Sequence, residues 1–348
     1  MINIRQNISL KDYSSMKLGG KAKYLCQVTT RMDLLEALSW AQKNNLKTIM
    51  IGGGNNIIWS DDGFNGLLIV NKISGLKISN DRPDNFYLTI GSGENWDKIV
   101  EQTVNMGLTG IEALSSIPGT VGATVIQNIG AYGQEIVDSL LNVEAFDIKI
   151  SDYVILSASQ CLLGYRSSLF KNHEPGRYLI SAITINLKKQ NPAAPFYSVI
   201  EEYIKEHQIN EITPQILRQI VQNIRAAKLP DPNKIANCGS FFVNPIISYA
   251  DFFLLQKTLN QQIPHWKHSE ESLKISAAWL IEFAGFKDYH DWQTGMATWE
   301  KQPLILINEK AHSTADLEIF RDKIIKAVHQ KTGITLIQEP EILPLITR

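Results

Sequence analysis

Between Ser115 and Gly133 the chain reads SSIPGTVGATVIQNIGAYG, a run that fits few ordinary elements. Each glycine in a helix interior costs about 1 kcal/mol relative to alanine, so a core helix through this run is not expected. A solvated loop rarely carries so many small apolar residues between its glycines. Backbone wrapped tightly against a large ligand meets both constraints, because glycine admits close approach of another group to the main chain.

Two further segments carry glycine. Gly52-Gly53-Gly54-Asn55-Asn56 follows a β-like run, Thr48 to Ile51. Successive glycines bring main-chain N–H groups up to a diphosphate, and small polar residues add donors. Neither Gly-Lys-Ser/Thr nor Gly-x-Gly-x-x-Gly is present, so a plain turn and a phosphate cradle both stay open. In Asn237-Cys238-Gly239-Ser240-Phe241-Phe242-Val243-Asn244-Pro245 the serine reads as a turn residue entering an apolar strand. Without a Gly-x-Ser-x-Gly elbow it is not expected to be a hydrolase nucleophile. Arg166, in GYRSSLFK, stands where a strand region should begin, and on sequence alone it reads first as a surface or ion-pair residue. Glu339 and Glu341 flank Pro340, and at most one of them is expected to enter a given cleft; an exposed acidic turn is the plainer reading. The seven histidines form no metal-like pattern, and no metal is expected.

The elements around these segments follow local rules. Leu34, Leu35, Leu38 and Ala41 after Thr30 have helical spacing. Leu67 to Val70 and Phe86 to Ile90 read as strands, and Asn95 caps a helix through Met106 that Gly107 stops. A β-rich stretch runs from Asn142 to Leu187, and Pro192 to Pro195 mark a boundary. Thr213-Pro214 starts a helix with a stripe of Ile216, Leu217, Ile220, Val221 and Ile224, ended before Pro230. Residues 228–332 read as a separate α/β lobe whose last helix runs from a Ser313-x-x-Asp316 capping box to Gly333. A final strand is expected at Ile334 to Ile337. A length of 348 residues suggests about two domains. At 44% hydrophobic and 20% charged the chain can fill a core, and 34 basic against 35 acidic residues argue against broad nucleic-acid or membrane-surface binding. Three cysteines far apart imply no disulfide framework, and the opening MINIRQNISL shows no signal-peptide pattern, so a cytoplasmic protein is expected.

Taken in order, SMKLGG (15–20), GGGNN, SSIPGTVGAT, QNIGAYG, GYRSSLFK, RAAKLPDP (225–232), GSFFVNP, AAWLI (277–281), LINE (306–309) and EPE resemble one family over nearly the whole chain. The family is UDP-N-acetylenolpyruvoylglucosamine reductase, the flavoenzymes of bacterial peptidoglycan synthesis also called UDP-N-acetylmuramate dehydrogenases, in the subtype with a tyrosine loop (here 191–200). The resemblance implies an α/β (α+β) fold: a vanillyl-alcohol-oxidase-type (PCMH) FAD-binding module of two subdomains plus a C-terminal α/β substrate-binding lobe. The first subdomain would be 1–75 with the tail 333–348 packing back, the second 76–225, and the substrate lobe 226–332.

The same resemblance implies non-covalent FAD, since no histidine or cysteine falls within 52–56 or 115–133. The FAD contacts carried over are Gly52, Gly53, Gly54, Asn55, Asn56, Ser115, Ser116, Ile117, Pro118, Gly119, Gly122, Ala123, Thr124, Asn128, Gly130 and Arg225. NADPH is the implied hydride donor and a UDP-sugar bearing an enolpyruvyl ether the implied substrate, with neither nucleic acid nor membrane insertion. Arg166 would grip the substrate carboxylate, Glu341 would assist it, and Ser240 would donate a proton. Tyr165, Tyr197, Lys228, Asn244 and Gln302 would hold the substrate. The chain departs from the family pattern at Asn55 (usually serine), Val243 (usually lysine), Trp299 (commonly histidine) and Leu343 (often arginine).

Overall fold

The local signals become caps. In the computed structural model, which describes residues 2–345, Thr30 and Asp33 cap the helix Arg31–Lys43 reciprocally, side chain to backbone in both directions. Asn95 accepts from the Lys98 N–H to open Trp96–Asn105. Ser313 and Asp316 do the same for Thr314–Thr332, which Gly333 ends in the left-handed region. Met1 and the last three residues of the expected 333–348 tail lie outside the described residues.

The chain forms two compact units, and neither is continuous in sequence. The first comprises residues 1–8, 22–53 and 65–227; the second comprises 9–21, 54–64 and 228–348. Thus two short segments that precede residue 75 belong with the C-terminal part.

The first unit holds two large sheets and the two-stranded hairpin of Gly130–Ala131 with Gln134–Glu135. One has the strand order Arg5–Ser9, Lys21–Val28, Phe64–Asn71, Thr48–Ile51, with the last two parallel. The helix Arg31–Lys43 lays Leu34, Ala37 and Ala41 onto Cys26, Val28, Leu67 and Ile69 of this sheet. The other sheet is antiparallel, in the order Asp152–Ser157, Leu140–Asp147, Tyr178–Lys189, Asn85–Gly91, Leu76–Arg82. Its core takes Trp96, Ile99 and Val100 from the helix Trp96–Asn105, and Val121 and Val125 from a short helix, Val121–Ile126. A third cluster joins the helices Ser198–Glu206 and Pro214–Lys228 through Ile200, Leu217, Ile220, Val221 and Ile224. The stripe read from sequence is therefore a packing face.

The second unit is built on the sheet Ala236–Ser240, Gln302–Asn308, Met296–Trp299, His290–Asp291. Its core draws Phe241, Phe242, Leu306, Phe320 and Ile324 together with Met16, Leu18 and Ile58 from the two early segments. The strand Glu341–Leu343 runs parallel to Ile57–Trp59.

Three local expectations change. The run 121–126 is helical for six residues, and Gly122 is required there because a Cβ would lie 2.7 Å from that of Ser92. Ile334 to Ile337 form no strand: Ile337 is exposed, and the backbone of this stretch bonds instead to the 241–243 loop, Val243 N–H to the Ile337 carbonyl at 3.0 Å. The paired strand lies at 341–343. Phe241 and Phe242 follow the strand rather than form one: a bulge between Asn237 and Ser240, with Gly239 at φ 73°, shifts the register. Pairing resumes at Ser240 opposite Ile305, and the last bond to that strand runs from the Phe241 N–H to the Leu304 carbonyl at 2.8 Å. Among the described residues no helix is long and apolar enough to cross a membrane.

Candidate active site

Within the first unit, the first two glycine segments touch. A Cβ on Gly52 would strike the Thr120 hydroxyl, so Gly52 backs directly onto the start of Val121–Ile126. Ser116 takes a positive φ of 58° and is held there by Asp97, whose Oδ1 accepts its N–H at 2.5 Å. Asp97 also takes a two-pronged bond from Arg218, at 2.6 and 3.0 Å. Burial pushes the Asp97 carboxyl up, but Arg218 and the Ser116 N–H outweigh it and the net shift is downward. Ser115 is wholly buried and donates to the Glu112 carbonyl at 2.6 Å.

The run 127–133 meets the GYR turn. Arg166 sits not at a strand start but on a tight turn, Gly164 to Ser167, at φ 53°. Its Nη1 donates to the Asn128 carbonyl at 3.2 Å and its Nη2 to the Gly130 carbonyl at 3.3 Å. The guanidinium also lies 5.6 Å from the Tyr165 ring. Asn128 is buried; its Nδ2 donates to Glu135 at 2.6 Å and to the Gly164 carbonyl at 3.0 Å. Nearby, Arg225 bonds the Tyr132 phenol; loss of solvation lowers the Arg225 pKa against that pull and raises that of Tyr132. Tyr197 precedes the helix Ser198–Glu206 and sets its ring edge-on to Tyr132, 6.1 Å between centroids.

The second unit gathers the other expected residues. Ser15 N–H donates to the Gly54 carbonyl and Asn237 N–H to the Ser15 carbonyl, at 3.0 and 3.1 Å. Ser14 Oγ donates to the Ile57 carbonyl at 2.7 Å. This serine pair therefore ties the 54–57 turn to the strand that ends at Ser240. Glu339 N–H donates to the Phe241 carbonyl at 2.9 Å, and Glu341 N–H to the Asn56 carbonyl at 3.2 Å. Ser240, Asn56 and the EPE segment thus share one backbone network. Asn244 Oδ1 accepts the Ala277 N–H at 2.9 Å, at the head of the helix Ala277–Phe283. Trp299 donates to the Lys228 carbonyl at 3.0 Å and pairs across its hairpin with Gln302; Lys228 itself is exposed.

The sequence reading passed over Thr120, Asp97, Tyr132, Glu135, Ser14 and Ser15. Thr120 and Tyr132 lie inside motifs it quoted. Asp97 gave no local signal, because its partner Arg218 lies 121 residues on, and Glu135 lies just past the quoted motif that holds its partner Asn128.

Comparison with known proteins identifies the family. Residues 22–149 match the FAD binding domain family, and residues 231–343 match the C-terminal domain of UDP-N-acetylenolpyruvoylglucosamine reductase. The chain is 31% identical to the reductase of that name from Chromobacterium violaceum, over 98% of this chain and 99% of the relative. It is 32% identical to that of Pseudomonas putida (97% and 98% covered) and 34% to that of Bdellovibrio bacteriovorus (97% and 99%). The crystal structure of the Thermus caldophilus enzyme superposes with a TM-score of 0.67 at 20% identity, covering 99% of this chain and all of that one, which shows the shared fold.

The residues present fit a bound FAD. The Thr120 hydroxyl and the Asn128 amide oxygen are buried without a hydrogen-bond partner. A buried polar atom left unmade costs about 1–3 kcal/mol, and FAD brings both donors and acceptors. All three thiols are buried, and burial pushes them up, Cys26 to about 12, Cys161 to about 11 and Cys238 to about 12. With a flavin domain, a matching C-terminal domain and full-length reductase relatives, the chain is an FAD-dependent oxidoreductase and belongs to the UDP-N-acetylenolpyruvoylglucosamine reductase family.

Proposed function

We propose that this chain reduces the enolpyruvyl ether of UDP-N-acetylglucosamine enolpyruvate to UDP-N-acetylmuramate with NADPH as reductant. The reading takes the reaction to be cytoplasmic and its product to feed wall synthesis, and so cell shape and division. Bound FAD supplies a two-electron carrier between nicotinamide and substrate. An enol ether is a poor hydride acceptor, so negative charge at the carbon beside the carboxylate needs electrostatic stabilisation. Arg166 is assigned that work: it carries a permanent charge in a planar fork suited to a carboxylate. The observation that carries the assignment is the pair of bonds from Arg166 to the Asn128 and Gly130 carbonyls, which hold the fork in one orientation.

Glu341 is assigned as hydrogen-bond partner of the same carboxylate. Ser240 is assigned as the proton donor to the carbon bearing charge. A serine is a weak acid in water, and only an oriented, water-poor setting beside a strongly basic carbon makes it competent. Tyr165, Tyr197, Lys228, Asn244 and Gln302 are assigned to the substrate, with Lys228 as a point charge for the diphosphate. Flavin binding is assigned to 1–75 and 76–225, and substrate binding to 226–332.

Anaerobic stopped flow tests the proposal. NADPH should bleach the flavin, and the enolpyruvyl sugar nucleotide added second should restore its colour. Ser240→Ala should keep the first phase and lose most of the second. A flavin that the sugar nucleotide never reoxidises would refute the proposed reaction; equal damage to both phases in Ser240→Ala would remove Ser240 from its role.

A further inference from the structure

We infer that Glu135 is a positioning residue for Arg166, orienting the guanidinium through Asn128 without itself touching the substrate. The inference rests on the reading that Arg166 grips the substrate carboxylate, and it deepens that reading.

Its ground is a closed ring of contacts. Glu135 lies opposite Gly130 in the short hairpin 130–135. A Cβ on Gly130 would stand 2.9 Å from the Glu135 Cγ, so the side chain folds back across a backbone that only glycine leaves open. The base of that side chain is fixed in turn, because the Glu135 N–H donates to Asp138 at 2.8 Å. Its carboxylate ends on Asn128 Nδ2 at 2.6 Å, and the second N–H of the same amide bonds the Gly164 carbonyl at 3.0 Å. Gly164 opens the turn that carries Arg166 and closes it with two backbone bonds to Ser167, at 3.0 and 3.1 Å. Arg166 returns to the start through the Asn128 and Gly130 carbonyls.

Two details make Glu135 the controlling member. The Arg166 bonds, at 3.2 and 3.3 Å, are longer than the roughly 2.7–2.9 Å usual where a charge assists. The two carbonyls restrain the fork's direction together with the Tyr165 ring, so a shift of either carbonyl moves the fork. One carbonyl belongs to Asn128, which keeps a left-handed φ of 43° while its side chain is buried. Asparagine enters that region readily, so the backbone alone does not fix the side chain; the 2.6 Å bond to the Glu135 carboxylate is the shorter of the two its amide makes.

The test uses FAD-loaded Glu135→Ala, Glu135→Gln and Glu135→Asp, each with its melting temperature and flavin content measured. Glutamine keeps an acceptor at the same reach; aspartate keeps the charge but falls short by a methylene. Alanine and aspartate should slow reoxidation of the reduced enzyme by the enolpyruvyl sugar nucleotide roughly 10- to 100-fold, the scale of a group displaced by about 1 Å. Flavin reduction by NADPH should stay within about twofold, and glutamine should restore most of the lost rate. Equilibrium binding of the sugar nucleotide to the oxidised enzyme, read by calorimetry, should weaken in alanine and aspartate and recover in glutamine. If alanine fails to fold, aspartate against glutamine carries the same comparison. Reoxidation at the wild-type rate in folded alanine or aspartate variants overturns the inference, as does equal loss in both half-reactions or a glutamine variant no better than aspartate. Arg166→Lys separates the two levels. If it turns over normally, the underlying reading fails; if it is crippled while Glu135 variants are normal, only the role of Glu135 falls.

Discussion

Gly52→Ala should destabilise the first unit, and removing one hydroxyl elsewhere should undo the damage. A methyl at Gly52 would run into Thr120 Oγ1, whereas its next neighbours, Thr120 Cβ at 3.4 Å and Ala123 Cβ at 3.5 Å, are ordinary contacts. Thr120 is nearly buried and β-branched, so it turns aside only at a cost, and overpacking of this kind runs to about 1–3 kcal/mol. In a unit of about 200 residues that lowers the melting temperature by roughly 2–12 °C. Thr120→Ala alone should change stability by less than about 1 kcal/mol, because the methyl it removes is offset by loss of a buried hydroxyl that had no partner. The double variant should therefore melt close to Thr120→Ala, with a coupling of about 1–3 kcal/mol. Gly52→Ala with Thr120→Val serves as control: valine puts a methyl where the hydroxyl was and should give no rescue. The assay is thermal unfolding of flavin-stripped protein for the wild type and four variants. A double variant destabilised by the sum of its parts, or rescued as well by valine as by alanine, would refute the packing of Gly52 on Thr120.

Three further outcomes are expected. Arg166→Lys replaces two separate N–H donors by one ammonium and forfeits at least one charge-assisted bond of about 1.5–3 kcal/mol; reoxidation by the sugar nucleotide should fall about 10- to 100-fold in stopped flow, and near-normal turnover would count against the two-carbonyl anchor. Cys26, Cys161 and Cys238 should be silent to a thiol-disulfide reagent at pH 8 in the native protein and all three should react after denaturation; rapid reaction of any one in native protein would contradict its burial. The Asp147 carboxyl is held below its usual range chiefly by hydrogen bonds from Arg177, so its stabilisation is complete above about pH 4 and is lost as pH falls through the lower native pKa. Asp147→Asn should cost about 2 kcal/mol at neutral pH and approach the wild type in strong acid, and a penalty independent of pH would sink the assignment.

What could be read from the sequence follows the range of each interaction. Thr30, Asn95, Ser313 and Gly333 were legible as caps because their partners lie within three or four residues. The motif segments were legible as a site because glycine spacing is itself a local record of close approach. Ile334 to Ile337 looked like a strand by hydrophobicity, but its hydrogen-bond partners lie some ninety residues earlier, at 241–243. Arg166 was ambiguous for the same reason: its acceptors are 36 and 38 residues away, and nothing beside it in sequence distinguishes an anchored fork from a surface charge. Thr120 escaped notice because its significance is the close approach that leaves Gly52 no room for a side chain, and that exists only in three dimensions.

The second unit has a consequence for how the polypeptide is made. Met16, Leu18 and Ile58 leave the ribosome long before Phe241, Phe320 and Ile324, against which they cluster. The strand Glu341–Leu343, which lies beside Ile57–Trp59, is synthesised about 280 residues after it. Early apolar side chains must therefore wait, exposed or chaperoned, until the tail arrives. A fragment ending at Ala227 would keep them without their neighbours, and one beginning at Lys228 would fold around a hole. Dissection at that border should yield two aggregating halves, and recovery should require keeping residues 9–21 and 54–64 with the C-terminal piece.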